Sequence, residues 1–157
     1  MKTDYMLLCA QLRSLTEDLA SPLPALANCA AMLWEALPDL NWCGFYLHDG
    51  HGVLLLGPFQ GKTACTRIPF GKGVCGTAAA SGQTQLVPDV HQFPGHIACD
   101  SASNSELVLP LVKEGQVLGV LDLDSPLIAR FTAEDADGLR QLADTLLDCT
   151  DWSNGLL

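Results

Sequence analysis

One stretch of the chain places a thiol and an acid close together. The segment PGHIACDSASNSELVLPL, residues 94–111, holds Cys99 in a loop of small polar residues and Glu106 at the start of an apolar run. A cysteine acts as a nucleophile in its thiolate form, and a positioned carboxylic acid can donate a proton to a leaving group. The pair therefore indicates nucleophilic thiol chemistry with acid assistance.

Two further acids belong to the same region. Asp122 and Asp124 end the apolar run that follows Gly115, and antiparallel pairing across that glycine brings them to Glu106. Residues two apart share one face of a strand. Clustered carboxyls raise one another's pKa, so one can stay protonated as a general acid, and they can also bind an ammonium group. The pattern predicts a pocket for an amino acid whose side chain is reduced or attacked; a solvated strand end is the alternative.

Cys65 and Cys75 also fall in glycine-rich or polar stretches that we interpret as loops. Reactive groups are concentrated on loops held by a rigid scaffold, whereas inert packing is the other use of a cysteine. The remaining four cysteines lie in predicted helices or strands: Cys9, Cys29, Cys43 and Cys149. We interpret these four as core or surface residues.

Metal and phosphate sites receive less support. His91 and His96 lie near Cys99, so zinc with Cys65 or Cys75 is an alternative, but cysteine pairs separated by two residues are absent from the sequence. We predict no metal. The GKGVCG stretch lacks the Gly-Lys-Ser/Thr ending of a phosphate loop, although amides at the start of a short helix could hold a carboxylate.

Composition narrows the class of protein. The chain has 157 residues, 48% of them hydrophobic, which suffices for a single domain over 1–157. A formal charge of -10 argues against nucleic acid or an anionic membrane as partner. The seven cysteines are an odd number, and the apolar run near the amino end is too short for a secretion signal. We expect a cytoplasmic protein with mostly reduced thiols.

Helices and a hairpin are predicted in the first part of the chain. Residues 5–19 are compatible with a helix, and a second helix opens at Ser21-Pro22 and ends at Pro38. The Asp49-Gly50 pair then separates two apolar runs, which predicts antiparallel strands over 41–48 and 52–59.

The second part repeats the hairpin and closes with a helix. A short helix closed by Gly82, a strand over 84–88, a hairpin turning at Glu114-Gly115 and a helix over 132–149 are predicted. Together these elements predict an α+β domain with a central antiparallel sheet and helices mainly on one face. We divide it into amino-terminal helices (1–37), sheet and active-site loops (41–125) and the final helix.

Four motifs together carry a resemblance to a known family. NWCGFYL, LGPFQGKTACTRIPFGKGVCGTA, DVHQFPGHIACDSASNSELVLPL and GVLDLDS, with the spacing of their three cysteines, resemble the free methionine-(R)-sulfoxide reductases. These are small enzymes built on a GAF domain, and the resemblance covers residues 23–147. It implies a six-stranded antiparallel sheet and reduction of free methionine-(R)-sulfoxide.

The resemblance also implies a role for each of three cysteines. Cys99 would attack the sulfoxide sulfur, and Cys65 would resolve the resulting sulfenic acid as a disulfide that thioredoxin reduces. Cys75 would be an accessory thiol in this exchange. A sulfenic acid is reversible and needs a resolving thiol before further oxidation, so the implied roles are chemically consistent.

The remaining site residues and partners follow from the same resemblance. Glu106, Asp122 and Asp124 match the acids that bind the substrate ammonium and polarise the sulfoxide oxygen, and Trp42 and Tyr46 match the aromatic wall that receives the methyl-sulfur end. No bound cofactor is implied, because an external thioredoxin and NADPH system supplies electrons. Terminal helices such as 132–149 are amphipathic enough to form a homodimer.

Two other functions remain compatible with these residues. A GAF domain can bind a small ligand as a sensor without turnover, because function depends on sites placed on a shared fold. A general thiol redox sensor would need the cysteines but not the three acids.

We also predict that loops 61–73 and 90–104 form a lid that excludes peptide-bonded methionine.

Overall fold

A computed structural model gives the fold for residues 2–19, 21–97 and 99–156. It contains four α-helices and six strands. In chain order these are α1 (Tyr5–Thr16), α2 (Pro22–Ala36), β1 (Trp42–His48), β2 (Val53–Gly61), β3 (Arg67–Pro69), α3 (Gly73–Ser81), β4 (Gln85–Val87), β5 (Ser105–Lys113), β6 (Gln116–Ser125) and α4 (Ala133–Asp148). A 3-10 turn covers Val90–Gln92 between β4 and β5.

The strands form one sheet in the order β3-β2-β1-β6-β5-β4, and each adjacent pair runs antiparallel. This confirms the predicted six-stranded α+β fold. The two hairpins, β1-β2 and β5-β6, join where β1 pairs with β6. In that register Trp42 lies opposite Asp124, and Asp124 in turn lies opposite Glu106 on β5.

Helices cover the two faces of the sheet unequally. On one face α1, α2 and α4 enclose the larger apolar core, into which β1 points Cys43, Phe45 and Leu47. On the other face α3 covers a smaller cluster that includes Trp42 and Tyr46. Alternate residues of a strand point to opposite faces. The same strand therefore supplies one face to the core and the other to α3.

Local sequence signals explain where the helices begin and end. The Ser21 hydroxyl accepts a hydrogen bond from the Leu23 backbone N–H at the start of α2, where Pro22 occupies the first turn. Thr132 and Asp135 form the reciprocal capping box of α4. Gly82 ends α3 with φ +67°, a conformation that glycine adopts without steric cost.

Some predictions from the sequence are wrong in detail. Cys75 lies in the first turn of α3 and not in a loop, because α3 begins at Gly73. The sequence pattern did not reveal β3, a three-residue strand with Pro69 at its end. It also did not reveal the 3-10 turn between β4 and β5. Such short elements have no room for a periodic apolar pattern. Predicted helix 5–19 ends earlier, at Thr16.

Among the described residues, none of the helices combines the length and the apolar content needed to cross a membrane. The apolar side of α4 faces inward, since Leu139, Leu142 and Leu146 are fully buried in the core with α1. The amphipathic pattern of this helix is therefore accounted for by packing within the chain.

Candidate active site

A cavity lies between the sheet and α3, on the face opposite the larger core. Its lining includes the sheet residues Trp42, Tyr46, Glu106, Asp122 and Asp124. The first turn of α3 contributes Cys75, and the loop before β5 contributes Cys99. The structure thus brings together seven of the eight site residues that the sequence predicted, and the eighth, Cys65, is bonded to Cys99.

The three acids lie side by side because of the strand register. Glu106 on β5 lies opposite Asp124 on β6, and Asp122 lies two positions further along the same face. Glu106 and Asp122 are only 6% and 5% exposed. One oxygen of the Asp122 carboxyl, Oδ1, is buried without a hydrogen-bond partner among the described residues. This oxygen is therefore available to accept a hydrogen bond from a bound ligand.

Burial and mutual repulsion raise the pKa values of the three acids. Burial raises the pKa of Glu106 well above its ordinary value, and the charges of Asp122 and Asp124 raise it further. The pKa of Asp124 is raised well above its ordinary value by burial and then by Asp122. Burial raises the pKa of Asp122 to about 6, while hydrogen bonds from Glu106 and Cys75 oppose the shift. These effects favour the protonated form of Glu106.

Two aromatic side chains form the wall beside the acids. The Trp42 ring stacks on Tyr46 at 5.6 Å between centroids and on Phe59 at 5.2 Å. The Trp42 indole N–H donates to the Lys62 carbonyl oxygen at 3.1 Å, and the Tyr46 hydroxyl donates to the Cys65 carbonyl oxygen at 3.0 Å. These bonds fix both rings, and they also attach the segment that carries Cys65 to β1.

Cys65 and Cys99 form a disulfide in this structure. Their Cα atoms are 5.7 Å apart, within the range that a disulfide spans without backbone distortion. Cys65 lies in the turn between β2 and β3, and Cys99 lies in the loop after the 3-10 turn. Both side chains are partly exposed. The structure therefore describes the oxidised form of the thiol pair.

Cys75 is a free thiol next to the acids. Its sulfur and one oxygen each of Glu106 and Asp122 all lie within 4.8 Å of one another. Burial raises the pKa of Cys75 well above its ordinary value, and the charge of Asp122 adds to the shift. This thiol keeps its proton and is a poor nucleophile in the oxidised form.

The histidines do not complete a metal site with the cysteines in the described part of the chain. The group of side chains near enough to share an ion comprises Cys75, Glu106 and Asp122. The rings of His91 and His96 are 6.5 Å apart, and His91 contacts the Asn104 side-chain oxygen at 2.9 Å. His96 lines the cavity, where burial lowers its pKa.

Several polar residues at the mouth of the cavity were not predicted from the sequence. Asp100 and Ser103 line it, and the Asn41 side chain bonds to both. Hydrogen bonds from the Ala102 N–H and from Asn41 lower the pKa of Asp100. Asp100 and Ser103 lie close to Cys99 in the chain, and this proximity was the signal that could have identified them as site residues. Asn41 is distant in the sequence and becomes a neighbour only through the fold.

Comparison with known proteins agrees with the fold. The profile of the GAF domain matches residues 12–146. The free methionine-R-sulfoxide reductase of Escherichia coli K12 is 61% identical over 124 residues, which cover 79% of this chain and 74% of that protein. The solved structure of fRMsr of Staphylococcus aureus in its reduced form is 46% identical, with a TM-score of 0.91 over 96% of this chain and 97% of that one.

A third relative was solved with a ligand. The X-ray structure of free methionine-R-sulfoxide reductase from Neisseria meningitidis in complex with its substrate is 46% identical, with a TM-score of 0.89 over 95% of this chain and 92% of that one. The fold and the profile match define a GAF domain protein. Within that class, the chain belongs to the family of free methionine-R-sulfoxide reductases.

Proposed function

We propose that this protein reduces free L-methionine-(R)-sulfoxide to L-methionine. The observation that carries the proposal is one cavity that combines Cys99, the buried acids Glu106 and Asp122, the half-buried Asp124 and an aromatic wall. A thiol redox sensor has no use for buried acids, which are costly to maintain in a folded protein. The relatives named as free methionine-R-sulfoxide reductases support the same activity.

In this proposal each part of the substrate meets groups of matching chemistry. The ammonium group binds at Asp122 and Asp124, and the unpartnered Asp122 oxygen accepts one of its protons. The methyl-sulfur end packs on Trp42 and Tyr46. The carboxylate is held by free backbone N–H groups in the first turn of α3, where the helix dipole favours an anion and Lys72 provides no side-chain cap. Peptide-bonded methionine lacks both charged termini.

The reduction step begins from reduced protein. The Cys99 thiolate attacks the sulfoxide sulfur while Glu106 donates a proton to the sulfoxide oxygen, which would otherwise be a poor leaving group. The hydroxyl group then moves from the substrate sulfur to the Cys99 sulfur. The bonds from the substrate sulfur to oxygen and to Cys99 both break, so methionine is released and Cys99 is left as a sulfenic acid. The sulfur of the substrate gains two electrons, and Cys99 loses them.

The resolving step returns the oxygen as water. The Cys65 thiol attacks the Cys99 sulfenic acid, a disulfide forms, and hydroxide leaves with a proton as water. Thioredoxin then exchanges its dithiol for this disulfide, and NADPH reduces thioredoxin through its reductase. Cys75, as an accessory thiol, can exchange into the disulfide. No bound cofactor takes part in this scheme.

One assay tests the proposed function. Purified protein is mixed with thioredoxin, its reductase and NADPH, and the R and S epimers of free methionine sulfoxide are added separately. We expect NADPH consumption with the R epimer and little with the S epimer or with a methionine-(R)-sulfoxide peptide. A protein that bound the R epimer without consuming NADPH would instead be a sensor.

Assembly and location belong to the same proposal. We propose a cytoplasmic homodimer, with five free thiols consistent with a reducing compartment. Since the apolar side of α4 is buried within the chain, the dimer contact is assigned to α1, where Met6, Leu7 and Leu15 are 79%, 53% and 48% exposed. Light scattering after size-exclusion chromatography tests this: Met6→Glu with Leu7→Glu should yield monomers.

A further inference from the structure

The chain that follows Cys99 contains few groups that apolar packing could hold. Residues 100–104 are Asp, Ser, Ala, Ser and Asn, and the strand β5 begins only at Ser105. Even so, Ser103 is only 6% exposed, and Asp100 lines the cavity. Hydrogen bonds must therefore supply most of the order in this segment, because little apolar surface is available for burial.

Asn41 supplies two of these hydrogen bonds from outside the segment. Its side-chain NH2 group donates to the Asp100 carboxylate oxygen Oδ2 at 3.0 Å and to the Ser103 hydroxyl at 2.9 Å. Its backbone N–H donates to the Asp124 carbonyl oxygen at 3.0 Å. Asn41 is thus fixed to the end of β6 and attaches the Cys99 segment to the sheet. We refer to Asn41, Asp100 and Ser103 as the Asn41 clamp.

The segment has internal support and a second attachment. The other Asp100 oxygen, Oδ1, accepts from the Ala102 N–H at 2.9 Å, and the Ser103 N–H donates to the Asp100 carbonyl oxygen at 3.2 Å. On the other side of Cys99, the Ile97 side chain packs over Gly73, where an added Cβ would approach it to 3.1 Å. Cys99 therefore lies between the Ile97 contact and the Asn41 clamp. The next polar attachment along the chain is Asn104, whose backbone N–H donates to the Ser125 carbonyl oxygen at 2.8 Å, so the clamp is the attachment nearer to Cys99.

We propose that Asn41 is a positioning residue for the resolving step. By holding Asp100 and Ser103 on the sheet, it keeps the Cys99 sulfur within reach of Cys65, whose own segment is attached through Tyr46. This inference rests on the proposed reductase function. Disulfide formation depends on how often the two sulfurs meet, so loss of the clamp slows it more than it slows attack on the substrate.

The first experiment follows one catalytic round. Reduced Asn41→Ala protein receives one equivalent of methionine-(R)-sulfoxide, and methionine release, thiol loss and trapping of sulfenic acid by dimedone are measured. We expect disulfide formation to slow about thirtyfold or more, because one charge-assisted and one neutral hydrogen bond to the Cys99 segment are both lost. The dimedone adduct should increase accordingly. Asn28→Ala, an exposed asparagine on α2, is the matched control and should behave as wild type.

The second experiment reverses the polarity of the clamp. Asn41→Asp alone places two carboxylates together and should slow resolution further. The double variant combines Asn41→Asp with Asp100→Asn. The amide introduced at position 100 can then donate to the carboxylate introduced at position 41, and its oxygen can still accept from the Ala102 N–H. The Ser103 hydroxyl can rotate to donate to the carboxylate at position 41. Resolution should therefore recover to within about threefold of wild type, whereas a residue needed only for folding would show no such rescue.

Hydrogen peroxide separates this inference from the proposed function. Peroxide oxidises the Cys99 thiolate to the same sulfenic acid with release of water, so the resolving step can be timed without methionine sulfoxide. Failure to turn over the sulfoxide would count against the reductase function alone. Wild-type resolution by Asn41→Ala with either oxidant, or a double variant no faster than Asn41→Asp, would overturn the role of the clamp.

Discussion

At the scale of single residues, the site separates a disulfide-bonded cysteine pair from a cluster of acids whose pKa values are raised. Cys65 and Cys99 are joined and partly exposed, whereas Cys75, Glu106 and Asp122 are buried. Exposure lets an external reductant reach the disulfide, and burial favours the protonated form of Glu106, which the proposed reaction requires. Each residue type therefore lies in the environment that its chemistry requires.

The two linked cysteines should give different defects when they are replaced. Cys99→Ser should abolish methionine release because it removes the nucleophile. Cys65→Ser should still release one equivalent of methionine per protein, since only resolution is lost. Quantifying methionine after mixing reduced protein with excess substrate distinguishes the two. Equal steady-state turnover by both variants would show that the roles are assigned wrongly.

The buried acids should make the protein less stable as pH rises. Folding raises the pKa of Asp122 from 3.8 to about 6, so the folded state binds more protons than the unfolded state between these values. Stability is therefore lost through that window and stays lower above it. Asp122→Asn should remove the loss and gain up to about 3 kcal/mol at pH 7.5, with turnover strongly reduced.

Urea unfolding of the oxidised protein at pH 4 and pH 7.5 checks this. The gain should appear at pH 7.5 and be small at pH 4, where Asp122 is largely protonated in the folded protein. Asp144→Asn, at an exposed position of α4, makes the same charge change and should shift the free energy of unfolding by less than about 0.5 kcal/mol. A destabilised Asp122→Asn at pH 7.5 would contradict the desolvation argument.

At the scale of elements, the hairpins were predictable and the smaller connections were not. Asp49-Gly50 and Glu114-Gly115 combine turn-forming residues with apolar runs on both sides, so the strands and the approach of Glu106 to the end of β6 could be inferred. The pairing partner of Glu106 could not be inferred, because an irregularity between Leu111 and Val112 shifts the register by one residue and places Glu106 opposite Asp124. The three-residue β3 lacks any such pattern, whereas the short helix α3 was predicted from the residues before Gly82. The contacts of Asn41 depend on the pairing of β1 with β6, which local patterns do not specify.

A contact between α1 and α4 should reverse the usual effect of replacing a glycine inside a helix with alanine. Gly138 lies inside α4, where alanine usually stabilises a helix by about 1 kcal/mol. Here a Cβ would overlap the Tyr5 ring of α1, whose hydroxyl donates to Asp135 at 2.6 Å. We expect Gly138→Ala to destabilise the protein by about 1 to 3 kcal/mol in denaturant unfolding.

The Tyr5→Ala background provides the control for this contact. With the ring removed, Gly138→Ala should regain its usual stabilising sign, because only the helix propensity then remains. If Gly138→Ala is destabilising in both backgrounds by the same amount, the contact between α1 and α4 is not the cause.

At the scale of the whole molecule, the catalytic cycle changes the stability of the fold. The Cys65–Cys99 disulfide joins positions separated by 34 residues and thereby restricts the unfolded chain. In the chain-entropy account a loop of this length contributes about 3.5 kcal/mol. Each turnover therefore alternates between a more stable oxidised protein and a less stable reduced one.

Unfolding in urea with and without dithiothreitol measures this difference. Reduction should lower the midpoint for the wild type and leave Cys65→Ser unchanged, because that variant lacks the disulfide. Cys43→Ala, which changes a buried thiol in the core, is a further control that should keep the response to reduction. An equal response in Cys65→Ser would attribute the effect to other thiols.

The stacking of Trp42 on Tyr46 and Phe59 has an optical consequence. Trp42 is buried in the wall of the cavity, next to the disulfide, whereas Trp34 is 38% exposed on α2 and Trp152 packs against the opposite side of the sheet. Replacing Trp34 and Trp152 with phenylalanine would leave Trp42 as the single tryptophan, in the cavity that Cys99 also lines, where a disulfide quenches emission more than thiols do. Its brightness would then follow each oxidation and reduction of the enzyme in real time, without an added dye or a coupled enzyme.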